Sequence, residues 1–158
     1  MNNFCDDGDT AAEDGCSSTC TVECGYSCTG GTATTEDVCT SVCGDGIKTV
    51  TEACDDKNSA SNDGCSSECT VETGCGYTCA GGSATDKDVC TSTCGDGFKA
   101  HSEACDDGNN DDDDGCSNAC LIEAGYTCST PDCALSVCGT VCGDGYACIR
   151  TFGLCLFM

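Results

Sequence analysis

Apolar positions in this chain are few, short and repeated in register. Ile47 and Phe98 each follow a Gly-Asp-Gly, and Val22, Val71 and Ile122 each precede a Glu. Val38 and Val89 precede a Cys, and Tyr26, Tyr77 and Tyr126 stand two residues before one. No run has the 3.6-residue period of an amphipathic helix. Gly-Asp-Gly, Asp-Gly and Gly-Gly instead interrupt the chain about every dozen residues, a pattern of tight turns between short extended pieces. The expectation is a small disulfide-rich fold, a tandem array of units of about fifty residues with short β-strands, turns and little helix.

The array is visible as three copies of one motif set. Cys94-Gly-Asp-Gly, Glu103, Cys105-Asp106-Asp107-Gly108-Asn109, Asp114-Gly115-Cys116, Cys120 and Gly125-Tyr126-Thr127-Cys128 form the clearest copy. Cys43-Gly-Asp-Gly, Glu52, Cys54-Asp55-Asp56, Asp63-Gly64-Cys65, Cys69 and Gly76-Tyr77-Thr78-Cys79 form the second. An earlier copy enters in mid-repeat at Cys5 and runs through Cys16, Cys20, Cys28 and Cys39. The expected organisation is a partial repeat over 1–42, full repeats over 43–93 and 94–141, and an opening half-repeat with an apolar tail over 142–158. Front and back fragments add up to one six-cysteine unit. They suggest that the end of one molecule docks on the start of the next, a heterologous contact that builds a filament when it does not close. A longer array cut at arbitrary points gives the same arithmetic.

Composition sharpens this picture. The chain holds 23 Cys, 21 Gly, one Pro and no Trp in 158 residues, too little apolar material per unit for an ordinary core. Cysteine at this density points to disulfides and to an extracellular or cell-surface location. No leader precedes the first motif, so the leader has been removed or the chain is a segment of a longer one. No apolar run is long enough to span a membrane.

The cysteine spacing separates disulfides from metal storage. No Cys-x-Cys or Cys-x-x-Cys occurs and the only His is His101, whereas thiolate metal sites use such close pairs. The framework cysteines are Cys43, Cys54, Cys65, Cys69, Cys79 and Cys90 in one full unit and Cys94, Cys105, Cys116, Cys120, Cys128 and Cys138 in the next. Six cysteines allow fifteen pairings, and spacing alone chooses none of them. Cys24, Cys75, Cys133, Cys148 and Cys155 lie outside the framework, and the odd total leaves at least one thiol free or bonded to another molecule. Together with Cys5 and Cys142 at the split ends, these are the candidates for bonds between subunits.

A net charge of −23 with only five Lys and Arg excludes a phosphate-gripping nucleic-acid binder and makes cations the natural partners. Carboxylates and amides cluster between cysteines: Asp6, Asp7, Asp9 and Asp14, then Asp55, Asp56, Asn58 and Asp63, then Asp106, Asp107, Asn109, Asp111 and Asp114. Calcium takes six to eight such hard oxygens. Glu52 and Glu103 stand just ahead of their loops and would close the site, although the EF-hand pattern is absent. Catalysis finds no support, because every carboxylate pair repeats with the array. The Thr-rich loops at Thr32, Thr34, Thr35, Ser83 and Thr85 are candidate acceptors of O-linked glycans.

The motifs Cys-Gly-Asp-Gly, Glu-x-Cys-Asp-Asp-Gly-Asn, Asp-Gly-Cys-Ser-x-x-Cys and Glu-x-Gly-Tyr-x-Cys resemble the cysteine-rich repeat named from Myxococcus surface proteins, also met in protist extracellular proteins. The resemblance covers about 1–145 and implies a tandem extracellular module without known catalysis. Lys57 departs from it where the run calls for Gly, Cys24 and Cys75 are additions, and 148–158 follows no repeat. The expectation is a structural subunit of an extracellular filament, appendage or coat that associates with copies of itself and is stiffened by calcium. The alternative is a calcium-dependent adhesion module of a larger surface protein.

Overall fold

The computed structural model describes residues 4–141 with their side chains, and the backbone of two further strands, Tyr146–Ile149 and Leu154–Phe157. Among the described residues, regular structure is confined to four two-stranded sheets and one 3-10 turn. Strand β1 (Tyr26–Thr29) pairs with β2 (Val38–Ser41), β3 (Tyr77–Ala80) with β4 (Val89–Ser92), β5 (Tyr126–Ser129) with β6 (Val137–Thr140), and β7 (Tyr146–Ile149) with β8 (Leu154–Phe157). The fold is thus a small, disulfide-rich tandem repeat with almost no helix.

Each hairpin begins at a Gly-Tyr-x-Cys. Its β-branched and aromatic residues favour extended backbone, and the following Gly-rich loop reverses the chain. Register puts cysteine opposite cysteine: Cys28 faces Cys39, and Cys128 faces Cys138. The Cα atoms are 4.0 Å apart in both pairs and in Cys79–Cys90, and all three pairs are bonded. The backbone of β7 and β8 sets Cys148 opposite Cys155 in the same way. Gly145-Tyr146-Ala147-Cys148 is therefore a fourth copy of the hairpin motif. The expectation that 148–158 follows no repeat is corrected: the acidic loop has been skipped, and the Cys-Gly-Asp-Gly of 142–145 runs straight into the hairpin.

Internal contacts divide the chain into two compact units, residues 1–61 with 65–71 and 79–90, and residues 62–64 with 72–78 and 91–158. In the first, Cys54, Cys65 and Cys69 form the buried cluster, with Cys43, Val71, Cys79 and Cys90 packed on it. In the second, Cys105, Cys116, Cys120, Ala100 and Tyr77 are buried. Cystine sulfur takes the place that aliphatic side chains hold in a larger domain.

Valines and other large apolar residues stay outside. Val38, Val50, Val89, Leu121 and Val137 are each at least 60% exposed. Val38 and Val89, although apolar and repeated in register, are thus not part of the core. They precede a strand cysteine, and successive strand residues face opposite sides, so burying the cysteine turns the valine to solvent. The 3-10 turn Thr73–Cys75 fills the three residues between Glu72 and Gly76-Tyr77, where the other two copies have one.

Candidate cation-binding loops

Adjacent aspartates in each Cys-Asp-Asp step do different work. Asp55 is fully buried, and both its oxygens are taken by backbone. Gly44 N donates to Oδ2 at 2.8 Å, while Gly46 N and Lys57 N donate to Oδ1 at 2.9 and 2.8 Å. Asp106 repeats this with Gly95 N, Gly97 N and Gly108 N at 2.8, 2.9 and 2.9 Å. The Cys-Gly-Asp-Gly turn wraps the carboxylate, and its glycines have positive φ, 86° at Gly44 and 89° at Gly46. A charged acceptor that receives three amide donors is held firmly. Asp55 and Asp106, expected among the calcium ligands, are thus structural pins of the turn.

A second set of carboxylates that the sequence reading did not single out clamps the far end of the acidic loop. Glu72 Oε2 accepts from Asn62 N at 2.8 Å and Gly64 N at 2.9 Å. Glu123 accepts from Asp113 N and Gly115 N, both at 2.8 Å, and Glu23 Oε2 from Glu13 N and Gly15 N at 2.8 and 3.0 Å. Glu13, Asn62 and Asp113 share a left-handed backbone, with φ of 71°, 74° and 74°. Their carbonyls accept from the hydroxyls of Tyr26, Tyr77 and Tyr126 at 2.6, 3.1 and 2.7 Å. The signal available in sequence was the fixed register of Glu ahead of Gly-Tyr.

Between the pin and the clamp lies the acidic loop proper. Oxygens of Asp7, Asp9 and Asp14 lie within 4.8 Å of one another. Asp14 Oδ1 and Asp107 Oδ1 are shielded from solvent and have no hydrogen-bond partner. In the third repeat, burial and the charge of Asp114 push the Asp107 carboxyl above its ordinary value. Asn109 Nδ2 reaches Asp114 Oδ2 at 3.0 Å, and Asn58 Nδ2 reaches Asp56 Oδ2 at 3.0 Å. Crowded carboxylates with orphaned hard oxygens are a donor set that suits a calcium ion. Asp111 is exposed, and only its N–H is engaged, with Asn109 Oδ1 at 2.6 Å.

Glu52 and Glu103 belong to a separate cluster. Each lies beside the buried aspartate and a cysteine, Cys69 or Cys120. Both sulfurs are in disulfides, so neither is a thiolate ligand. Glu52 Oε2 accepts from Thr49 N at 3.0 Å and Glu103 Oε2 from Ala100 N at 2.9 Å, while Glu52 Oε1 is buried without a partner. Neither glutamate closes the Asp7-type loop.

Nine disulfides lie among the described residues. Within a repeat the pattern is Cys43–Cys69, Cys54–Cys65 and Cys79–Cys90, repeated as Cys94–Cys120, Cys105–Cys116 and Cys128–Cys138. Cys5–Cys16 and Cys28–Cys39 follow the same scheme. Three of the intersubunit candidates are corrected: Cys5 bonds Cys16, and Cys75 bonds Cys133 across 58 residues. In each case the fold brings the two cysteines together within the chain. Cys24 and Cys20 are exposed and unbonded. Cys20 was missed, although its counterparts Cys69 and Cys120 carry the bond to the Cys-Gly-Asp-Gly cysteine. The side chains of Cys142, Cys148 and Cys155 lie outside the described residues. Thr32, Thr34, Thr35, Ser83 and Thr85 are all exposed on their loops.

The array bears out a cysteine-rich repeat, and among the described residues no helix is long and apolar enough to cross a membrane. No curated protein and no solved structure matches the chain. A family model described as a domain of unknown function, DUF4215, matches residues 25–70 and again 76–121. Each match opens at the Gly-Tyr hairpin and closes one residue after Cys69 or Cys120. With more than half of its 158 residues matched in two tandem copies, the chain belongs to the DUF4215 family.

Proposed function

We propose that this chain is a non-catalytic structural subunit of an extracellular filament, appendage or coat, which associates head to tail with copies of itself and is stiffened by calcium. The observation that carries the reading is Cys20, unbonded and exposed, while the equivalent Cys69 and Cys120 are bonded and 3% exposed. Disulfide density supports an oxidising, extracellular setting, and the motif resemblance to Myxococcus-named surface repeats supports the same reading. Asp7, Asp9 and Asp14, with Asp56, Asn58 and Asp63 and then Asp107, Asn109 and Asp114, would hold calcium. The ion would supply charge neutralisation and a crosslink across each loop. Exposed Thr32, Thr34, Thr35, Ser83 and Thr85 would carry O-linked glycans.

The test is electron microscopy and light scattering of the purified chain at rising concentration, with calcium and with chelator. Filaments of one-subunit repeat are expected. A monomer at every concentration would reject the reading and favour an adhesion module of a larger surface protein.

A further inference from the structure

Glu52 holds a carboxylate oxygen inside the second repeat with nothing to satisfy it. The residue is 7% exposed, and its Oε1 is shielded from solvent with no hydrogen-bond partner among the described residues. A reciprocal turn fixes the group in place. Glu52 N donates to Thr49 O at 3.3 Å, and Glu52 Oε2 accepts from Thr49 N at 3.0 Å. One oxygen is thus taken by the turn, and the other is held rigidly beside it. A carboxylate oxygen of Glu52, one of Asp55 and Cys69 Sγ lie within 4.8 Å of one another. The third repeat builds the same trio from Glu103, Asp106 and Cys120. There Glu103 N donates to Ala100 O at 3.0 Å, and Ala100 N to Glu103 Oε2 at 2.9 Å.

Fully buried Asp55 has one acceptor position left. Its Oδ1 takes two amides, whereas Oδ2 takes only that of Gly44, and a carboxylate oxygen can accept two bonds. In the third repeat the equivalent Asp106 Oδ2 stands 3.9 Å from Cys120 Sγ, so the less occupied oxygen is the one that faces the trio. Two carboxylates this close and out of water repel each other and call for a countercharge. Among the described residues the lysine ion pairs go to Asp88 and Asp132, and none reaches Glu52 or Asp55. Cys69 is bonded to Cys43, so it offers no thiolate to a soft metal. Oxygen donors with two negative charges select a hard divalent cation, and magnesium, which keeps several of its waters, suits an enclosed site poorly. We infer that Glu52 Oε1 and Asp55 Oδ2 bind a calcium ion at a buried site separate from the acidic loop, and that Glu103 and Asp106 form its copy in the third repeat. The ion ties the 49–52 turn to the aspartate that gathers the Cys-Gly-Asp-Gly turn, and so braces the interior of the repeat.

The experiment measures binding of radioactive calcium to the whole chain by equilibrium dialysis, together with thermal melts in calcium and in chelator. Glu52→Gln should bind one calcium ion fewer than the parent chain. Glutamine keeps an acceptor for Thr49 N, and its amide can donate to Asp55 Oδ2 as Asn58 Nδ2 does to Asp56 Oδ2. In chelator this variant should therefore melt above the parent, and calcium should raise the parent more than the variant. Glu103 is only partly buried and tolerates replacement more readily, and Glu103→Gln should also lose one ion. Asp14→Asn tests the acidic loop instead, and its loss should add to that of Glu52→Gln. An undiminished ion count in both glutamine variants would overturn the buried site and leave the loop sites standing. Ions lost in the glutamine variants with none lost in Asp14→Asn would keep the buried site and remove calcium from the loop. A gain in Glu52→Gln of the same size with and without calcium would overturn the site, since Oε1 would then be a buried charge that no ion meets.

Discussion

The backbone N–H of Lys57 donates to Asp55 Oδ1 at 2.8 Å, and to do so Lys57 holds φ at 75°, a left-handed conformation that its counterparts Gly8 and Gly108 adopt as glycines. The pin on Asp55 is thereby kept at the expense of backbone strain in the second repeat. A residue with a Cβ in this region is disfavoured by about 1–2 kcal/mol. Lys57→Gly should therefore stabilise the chain by roughly 1 kcal/mol, less whatever the lysine stem contributes by packing over Gly46. Thermal melts would show a raised midpoint for Gly and no gain for Lys57→Ala.

Asp107 governs an acid response. Its carboxyl is pushed up by burial and by Asp114, so the folded state binds that proton more tightly than the unfolded chain. The stabilising increment is then fully present below the unfolded value of 3.8 and is lost as pH rises through the folded one. Asp132, held below its ordinary value by the hydrogen bond and charge of Lys99, has the opposite sign, and its contribution is lost as pH falls. In chelator, Asp107→Asn should raise the melting temperature at neutral pH and give no gain near pH 3. A difference that does not depend on pH would refute the assignment.

Calcium should reverse that cost. At free calcium one hundred times its dissociation constant, one site adds about 2.7 kcal/mol, and three sites add more. The melting temperature should rise with calcium and return with chelator. Asp14→Asn should remove one share of the rise, whereas Asp111→Asn, outside the cluster, should remove none. An unmoved transition on adding calcium would mean that the loops are only solvated surface.

Cys75–Cys133 closes the longest loop among the described disulfides, 58 residues against 10, 11 or 26 for the others. The chain-entropy relation gives about 4 kcal/mol for a loop of that length. The double variant Cys75→Ser with Cys133→Ser should lose a large part of this in urea unfolding. The three hairpins β1–β2, β3–β4 and β5–β6, each with its own cross-strand bridge, should survive. Equal stability would show that the unfolded chain is already constrained by the shorter loops.

Repeats, hairpins and the disulfide character were legible from the chain because they depend on local composition and on a fixed period. A Gly-Tyr-x-Cys makes a strand wherever it occurs, and 23 cysteines without close pairs can scarcely do anything else. Which cysteine joins which was not legible. Cys69 lies four residues beyond Cys65 yet bonds Cys43, 26 residues back, because a buried aspartate gathers the Cys-Gly-Asp-Gly turn over it. The same carboxylate separates two neighbours of identical type. Asp55 points into the turn and spends its oxygens on amides, while Asp56 joins Asn58 in the acidic loop. Sequence alone thus determined the repeated modules and their disulfide-rich character. Tertiary structure decided pairing and which carboxylates are taken up by backbone amides, since both depend on distances through space between residues far apart in the chain.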